Sequence, residues 1–169
     1  MCQNSFGMSI RNLVESCDVA DRRTRELIDV LTQLVNDDAV QYLVTSAHGP
    51  EPIIVGCSRS WCERCGYSAS EVVNRSCRFL QGPETDGKKL NHMRQAWDTR
   101  ESSYLEVINY DKNGNSFLNK FVAVPLNGKD GHTVFYASIH EPSIQVLRRL
   151  SAIMYDNHIN TIHGMETSL

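Results

Sequence analysis

From Tyr104 to His140 the period of the apolar residues switches to two, which is the period of a β-strand with one buried face. Two turn signals interrupt this pattern: an Asn-Gly pair at 113–114, and a second such pair at 127–128 that is followed by Asp-Gly at 130–131. Short connections of this kind join antiparallel neighbours. The stretch is therefore predicted to form a meander of three antiparallel strands.

Two more strands and several helices precede the meander. We predict strands at Val40–Thr45 and Ile53–Val55, which form a hairpin with a loose loop. Capping signals then predict short helices within residues 59–81, followed by a longer helix that Thr85 or Asp86 caps and that ends near Arg100.

Amphipathic helices flank these elements. One is predicted from Asp21 to Asn36 and another after Pro142. The order of elements predicts an α+β fold in which short helices pack on one face of a five-stranded antiparallel sheet. We divide the chain into an N-terminal extension (1–39), a core (40–141) and a C-terminal amphipathic helix with a tail (142–169).

Charge and composition exclude several classes of protein. The 17 basic residues are scattered and are outnumbered by 20 acidic ones, so we expect no nucleic-acid surface. No apolar run approaches the roughly 20 residues that span a bilayer, and no secretory signal opens the chain. We therefore expect a cytoplasmic protein without a membrane segment, whose six cysteines are reduced thiols.

A row of polar residues is predicted on one face of the meander. Asn109, Asn119 and His140 alternate with apolar neighbours, and folding the hairpins about their turns puts Asn119 opposite both of the others. Buried amides are costly unless they find partners. With Phe121 beside it, the row predicts a network or a planar heterocyclic ligand, although any one of these residues could instead face solvent.

Residues 74–81, Asn-Arg-Ser-Cys-Arg-Phe-Leu-Gln, resemble the signature helix of LOV domains, Gly-x-Asn-Cys-Arg-Phe-Leu-Gln. These domains are flavin-binding blue-light sensors of the PAS superfamily. The resemblance extends over roughly residues 40–141 and is supported by residues 58–67, Asn109-Tyr110, Phe117-Leu-Asn119 and Arg94. It implies a PAS fold.

The resemblance also implies a site. Cys77 corresponds to the photoactive thiol, which adds reversibly to C4a of the flavin in blue light, and burial would keep it protonated in the dark. Arg78 and Arg94 correspond to the residues that bind phosphate. The remaining expected flavin contacts are Leu80, Gln81, Asn109, Asn119 and Phe121. The short segment between Gln81 and Arg94 favours FMN over FAD.

Three positions depart from the family pattern. His140 replaces a glutamine that contacts the flavin, Ser76 replaces an asparagine, and Ser138 stands where glycine is common. An imidazole can register or remove the proton on flavin N5, so we expect adduct decay to depend on pH around a histidine pKa of about 6.5. The alternative is that His140 faces solvent at the end of its strand.

Two other functions stay open. Cys57, Cys62 and Cys65 have spacings that resemble the first three ligands of a plant-type [2Fe–2S] site, which would make this an electron-transfer protein. The chain could also be a PAS interaction module that has lost its ligand. No catalytic triad, phosphate-binding loop or metal-spaced histidine pair is present, so we expect no enzyme. Output is then expected through a homodimer or light-dependent association of the flanking helices, or through an effector.

Overall fold

Five antiparallel strands form one sheet in the computed structural model, which describes residues 22–35, 40–49, 51–128 and 130–155. In chain order the strands are β1 Gln41–Ser46, β2 Ile54–Cys57, β3 Ser103–Tyr110, β4 Ser116–Asn127 and β5 Thr133–His140. The order across the sheet is β2-β1-β5-β4-β3. The strand that ends at His140 is thus central, and the α+β fold predicted from the sequence is confirmed.

The helices are α1 Arg22–Val35, α2 Arg59–Cys65, α3 Ala69–Val72, a 3₁₀ helix at Cys77–Leu80, α4 Gly87–Asp98 and α5 Ile144–Tyr155. Helices α2, α3 and α4 begin where the predicted capping residues place them, and α4 ends at Asp98, two residues before the predicted end. The Ser58 hydroxyl caps α2 by accepting a hydrogen bond from Trp61 N–H at 3.1 Å. Asp86 rather than Thr85 caps α4, because the Thr85 hydroxyl donates to the Ile108 carbonyl at 2.7 Å instead.

The two faces of the sheet are covered by different helices. On the outer face, α1 and α5 bury Leu27, Leu31 and Leu150 against alternate residues of the central strands, among them Val44 and Ile139. On the inner face, the short helices and α4 pack over the residues in between. The flanking helices therefore complete a three-layer arrangement. None of the helices in the described segments is long and apolar enough to cross a membrane.

The strand register differs by two residues from the one expected. Asn119 pairs with Val107 rather than Asn109, and His140 pairs with Phe121 rather than Asn119. The β3–β4 turn is centred on Asn113, because one oxygen of the Asp111 carboxylate accepts hydrogen bonds from the N–H groups of Asn113 and Asn115, both at 2.8 Å.

The second displacement comes from the β4–β5 connection, where the register shifts between Leu126 and Asn127. Lys129, at the expected centre of that turn, lies outside the described residues, as do residues 1–21 and the tail from 156. Side chains alternate with a period of two, so a displacement of two leaves each residue on its expected face. The inner face still carries Asn109, Asn119, Ser138 and His140, all buried.

Candidate functional site

The polar row on the inner face is one directed chain of hydrogen bonds. Asn109 Nδ2 donates to the Ile108 carbonyl at 3.2 Å, and Asn119 Nδ2 donates to Asn109 Oδ1 at 2.7 Å. His140 Nδ1 lies 2.8 Å from Asn119 Oδ1. An amide oxygen only accepts, so Nδ1 carries the imidazole proton. The predicted network forms through diagonal contacts, and the alternative that His140 faces solvent is wrong.

The second ring nitrogen of His140, Nε2, is buried without a hydrogen-bond partner. The ring stacks on Phe121 at a centroid distance of 5.1 Å and meets the edge of Trp61 at 6.2 Å. A buried polar atom without a partner is uncommon and costs free energy. With the proton on Nδ1, Nε2 presents a lone pair to the inner side of the sheet, which suits a ligand that has a polar edge.

Burial, together with a smaller contribution from the positive charge of Arg64, lowers the pKa of His140 to about 3. The imidazole is therefore neutral at neutral pH, and its unperturbed pKa does not apply in this environment. The Arg64 guanidinium contacts the Leu118 carbonyl at 3.2 Å and the Glu141 carboxylate at 3.4 Å.

Sequence reasoning missed Trp61 and Arg64 as neighbours of His140. Trp61 is completely buried in the middle of α2. Together with Cys65, one turn later, it forms the apolar side of this short helix, and that spacing was the only signal in the sequence. Nothing local indicates that Arg64 reaches the end of β5.

Cys77 opens the 3₁₀ helix and is half-buried against the inner core cluster, which includes Trp61 and the buried Leu80. Burial raises the pKa of the Cys77 thiol to about 12, so the group is a protonated thiol at neutral pH. Ser76 precedes it as the helix cap, because its hydroxyl accepts a hydrogen bond from Arg78 N–H at 3.3 Å. Ser76 thus has a local role in forming the helix that carries Cys77.

The loop after the 3₁₀ helix is fastened to β3. Gly82 lies so close to Tyr110 that a Cβ at this position would come within 2.4 Å of the ring, which leaves room for glycine alone. The Tyr110 hydroxyl accepts from Glu84 N–H at 3.1 Å. These contacts hold the half-buried Gln81 near the strand that carries Asn109.

The two arginines expected to bind phosphate are both exposed and have other partners. Arg78 Nε pairs with the Glu51 carboxylate at 2.7 Å, and Arg94 donates to Asn91 Oδ1 at 2.6 Å. Each would have to exchange its present partner to hold a phosphate.

The three cysteines of the iron–sulfur alternative are buried within the inner core cluster. Cys57 ends β2 whereas Cys62 and Cys65 lie on α2, so the three residues do not share one loop. In the part of the chain that the structure describes, no group of three or more His, Cys, Asp or Glu side chains could hold a metal ion. The geometry therefore gives the [2Fe–2S] interpretation no support.

The burial of His140 predicts a pH dependence of stability. Its folded pKa lies below the unfolded value of about 6.5, so the unfolded chain binds more protons between these values and stability falls as pH drops through this window. The slope is about 1.4 kcal/mol per pH unit, or about 2 kcal/mol lost by pH 5. Urea unfolding of the flavin-free protein and a His140→Gln variant at pH 7 and pH 5 measures it.

His48→Gln is the matched control, because His48 is exposed. This control variant should keep the full loss of stability between pH 7 and pH 5, whereas His140→Gln should lose about 2 kcal/mol less than the parent protein over the same interval. Equal losses in all three proteins would contradict a buried neutral imidazole at position 140.

The sequence and the fold both match known proteins. The sequence model of the PAS domain matches residues 37–141. Phototropin-2 of Oryza sativa subsp. japonica is 31% identical over 132 residues, which are 75% of this chain and only 14% of that protein.

Two solved structures show the same fold. The dark structure of the LOV domain of the blue-light photoreceptor aureochrome1 aligns with a TM-score of 0.60 at 29% identity, over 72% of this chain and 89% of that one. The light-state dimer of the fungal blue-light photoreceptor Vivid aligns with a TM-score of 0.60 at 25% identity, over 69% and 93% of the two chains. The chain belongs to the PAS domain family and, within it, to the LOV domains of blue-light receptors.

Proposed function

We propose that this domain binds FMN and senses blue light through a reversible thioether between Cys77 and C4a of the flavin. The observation that carries the proposal is the arrangement on the inner face of the sheet. A protonated thiol on the motif helix and a buried polar row with an unsatisfied imidazole nitrogen belong to adjoining parts of the same core. The flavin supplies the light absorption and the electrophilic carbon.

The polar row supports binding of a flavin ring by its polar edge. Asn109 and Asn119 would exchange hydrogen bonds within the row for bonds to the ring, and Phe121 and Leu80 offer apolar surface for its faces. We favour FMN over FAD because the chain between Gln81 and Arg94 has only a short turn before α4. Arg78 would exchange its ion pair with the Glu51 carboxylate for an ion pair with the phosphate, because a guanidinium binds both groups well.

His140 would take the place of the family's glutamine with a different hydrogen-bonding capacity. A glutamine amide can donate to a flavin nitrogen, whereas Nε2 of a His140 whose proton is on Nδ1 can only accept. Its lone pair can take up a proton from the flavin edge transiently, since burial disfavours a lasting charge on the imidazole. We propose that His140 is the base that accelerates return to the dark state.

Replacement of Cys77 tests the photochemical proposal. Cys77→Ala should still bind FMN, since one small side chain is lost, but should show no reversible bleaching of the blue flavin absorption band on illumination. The measurement is an absorption spectrum before and after blue light. Cys65→Ala is the matched control, because Cys65 is buried in the same cluster, and this variant should bleach and recover like the parent protein.

Purified parent protein that holds FMN without bleaching would contradict the role of Cys77. Parent protein that retains no flavin, even after refolding with excess FMN, would instead favour the alternative of a PAS interaction module.

Replacement of His140 tests its role as a base. His140→Leu should slow dark recovery by a factor on the order of 10² if the imidazole accepts the proton in the rate-limiting step. Because burial holds the pKa of His140 near 3, the parent rate should stay level between about pH 8 and pH 5, rather than change near pH 6.5 as the sequence alone suggests. The measurement is recovery of absorbance after a light pulse, and equal rates in parent and variant would exclude the base.

We further propose that output passes through the flanking helices to a second subunit. α1 and α5 are joined by a hydrogen bond of 2.6 Å from Arg149 to Gln33, and both cover the outer face of the sheet. Glu141, between β5 and α5, has a φ of 46°, a conformation that non-glycine residues seldom adopt. His140 is thus connected to α5 by only three residues, 141–143, of which Glu141 is strained, and the similarity to a light-state dimer of Vivid supports self-association.

Light scattering in the dark and under blue light measures this association. We expect a monomer in the dark and a larger dimer fraction in the light, and Cys77→Ala should abolish the difference. The same molar mass in both conditions would contradict a light-dependent dimer.

A further inference from the structure

Two thiols outside the photochemical site lie within reach of each other. The sulfur atoms of Cys57 and Cys62 are 3.5 Å apart, and both residues are buried, at 1% and 6% exposure. Cys57 is the last residue of β2, and Cys62 is the middle residue of α2, where its N–H donates to the carbonyl of the capping residue Ser58. The pair therefore connects the end of a strand to the next helix.

The two thiols differ in acidity. The hydrogen bond from the Cys57 thiol lowers the pKa of Cys62, whereas the same bond and burial raise the pKa of Cys57. Burial raises the pKa values of Cys65 and Cys77 to about 12, so Cys62 is the most acidic of the four cysteines that the structure describes.

Cys62 is also the residue of this pair that borders a surface cleft. The cleft has a volume of about 620 Å³ and is also lined by Arg59, Glu63 and Tyr67. Cys57 lies behind it and does not line the cleft. An oxidant entering from this side meets Cys62 first.

We propose that Cys57 and Cys62 form an oxidisable dithiol that hydrogen peroxide converts to a disulfide. The Cys62 thiolate attacks peroxide, the O–O bond breaks, and hydroxide leaves to give a sulfenic acid. The Cys57 sulfur then attacks the Cys62 sulfur, the S–O bond breaks, and water leaves as the disulfide forms. The dithiol loses two electrons and two protons, and one peroxide becomes two waters.

The geometry requires little movement for this bond. Formation of the disulfide brings the two sulfur atoms from 3.5 Å to about 2.0 Å. The proposal does not depend on flavin binding, since neither sulfur belongs to the polar row or to the motif helix. In a reducing compartment the pair would rest as thiols and return to that state after oxidation.

The positions of the arginines allow each of the four cysteines to be followed separately. Trypsin cuts after Arg25, Arg59, Arg64, Arg75 and Arg78, so Cys57, Cys62, Cys65 and Cys77 each fall on a separate peptide. The full chain is treated with hydrogen peroxide in the dark, its remaining thiols are alkylated at low pH, and the tryptic peptides are analysed by mass spectrometry without reduction. We expect peptide 26–59 linked to peptide 60–64 in most chains, with the link removed by dithiothreitol.

Two variants complete the test. Cys65→Ser should keep the Cys57–Cys62 link, whereas Cys57→Ser should lose it and leave Cys62 trapped by a sulfenic-acid reagent such as dimedone. The proposal is overturned if the parent protein keeps both thiols alkylatable after peroxide, or if Cys62 links mainly to Cys65. Both of these outcomes are measured on the parent protein, so the test remains valid even if a variant fails to fold.

Discussion

The carbonyl oxygen of Ile108 determines the direction of the hydrogen bonds along the polar row of the candidate site. A carbonyl can only accept, so the Asn109 amide must turn its nitrogen toward it, which leaves Asn109 Oδ1 to receive Asn119 and Asn119 Oδ1 to receive His140. The tautomer of the buried His140 is thus determined by a hydrogen bond that is two side chains away. The same carbonyl accepts the Thr85 hydroxyl, so it also anchors the loop that follows the motif helix.

The parts of the fold that local chemistry determines could be predicted from the sequence. A period of two gave the meander, and Ser58 and Asp86 gave helix starts, because each signal depends on residues a few positions apart. The register could not be predicted to the residue. It depends on how the Asp111 carboxylate folds the β3–β4 turn and on an irregularity near Asn127, neither of which changes the periodic pattern.

The candidate site, too, could be predicted only in part from the sequence. The family motif and strand alternation identified Cys77 and the polar row, and the structure buries Asn109, Asn119 and His140 together. The low pKa of His140 could not be foreseen, because Trp61 and Arg64 arrive from another part of the chain and remove water and add charge. Their surroundings likewise give chemically identical thiols different pKa values. The hydrogen bond with Cys57 lowers the pKa of Cys62, whereas burial raises the pKa of Cys77.

The central position of β5 has a mechanical consequence. Its residues alternate between the two layers, with Ile139 packed under the flanking helices and His140 turned into the candidate site. The strand is bonded on both edges, to β1 and to β4, so it cannot slide without breaking two ladders of hydrogen bonds. Because Ile139 and His140 are neighbours on one strand, any displacement of this stretch of backbone acts on the candidate site and on the layer under the flanking helices together.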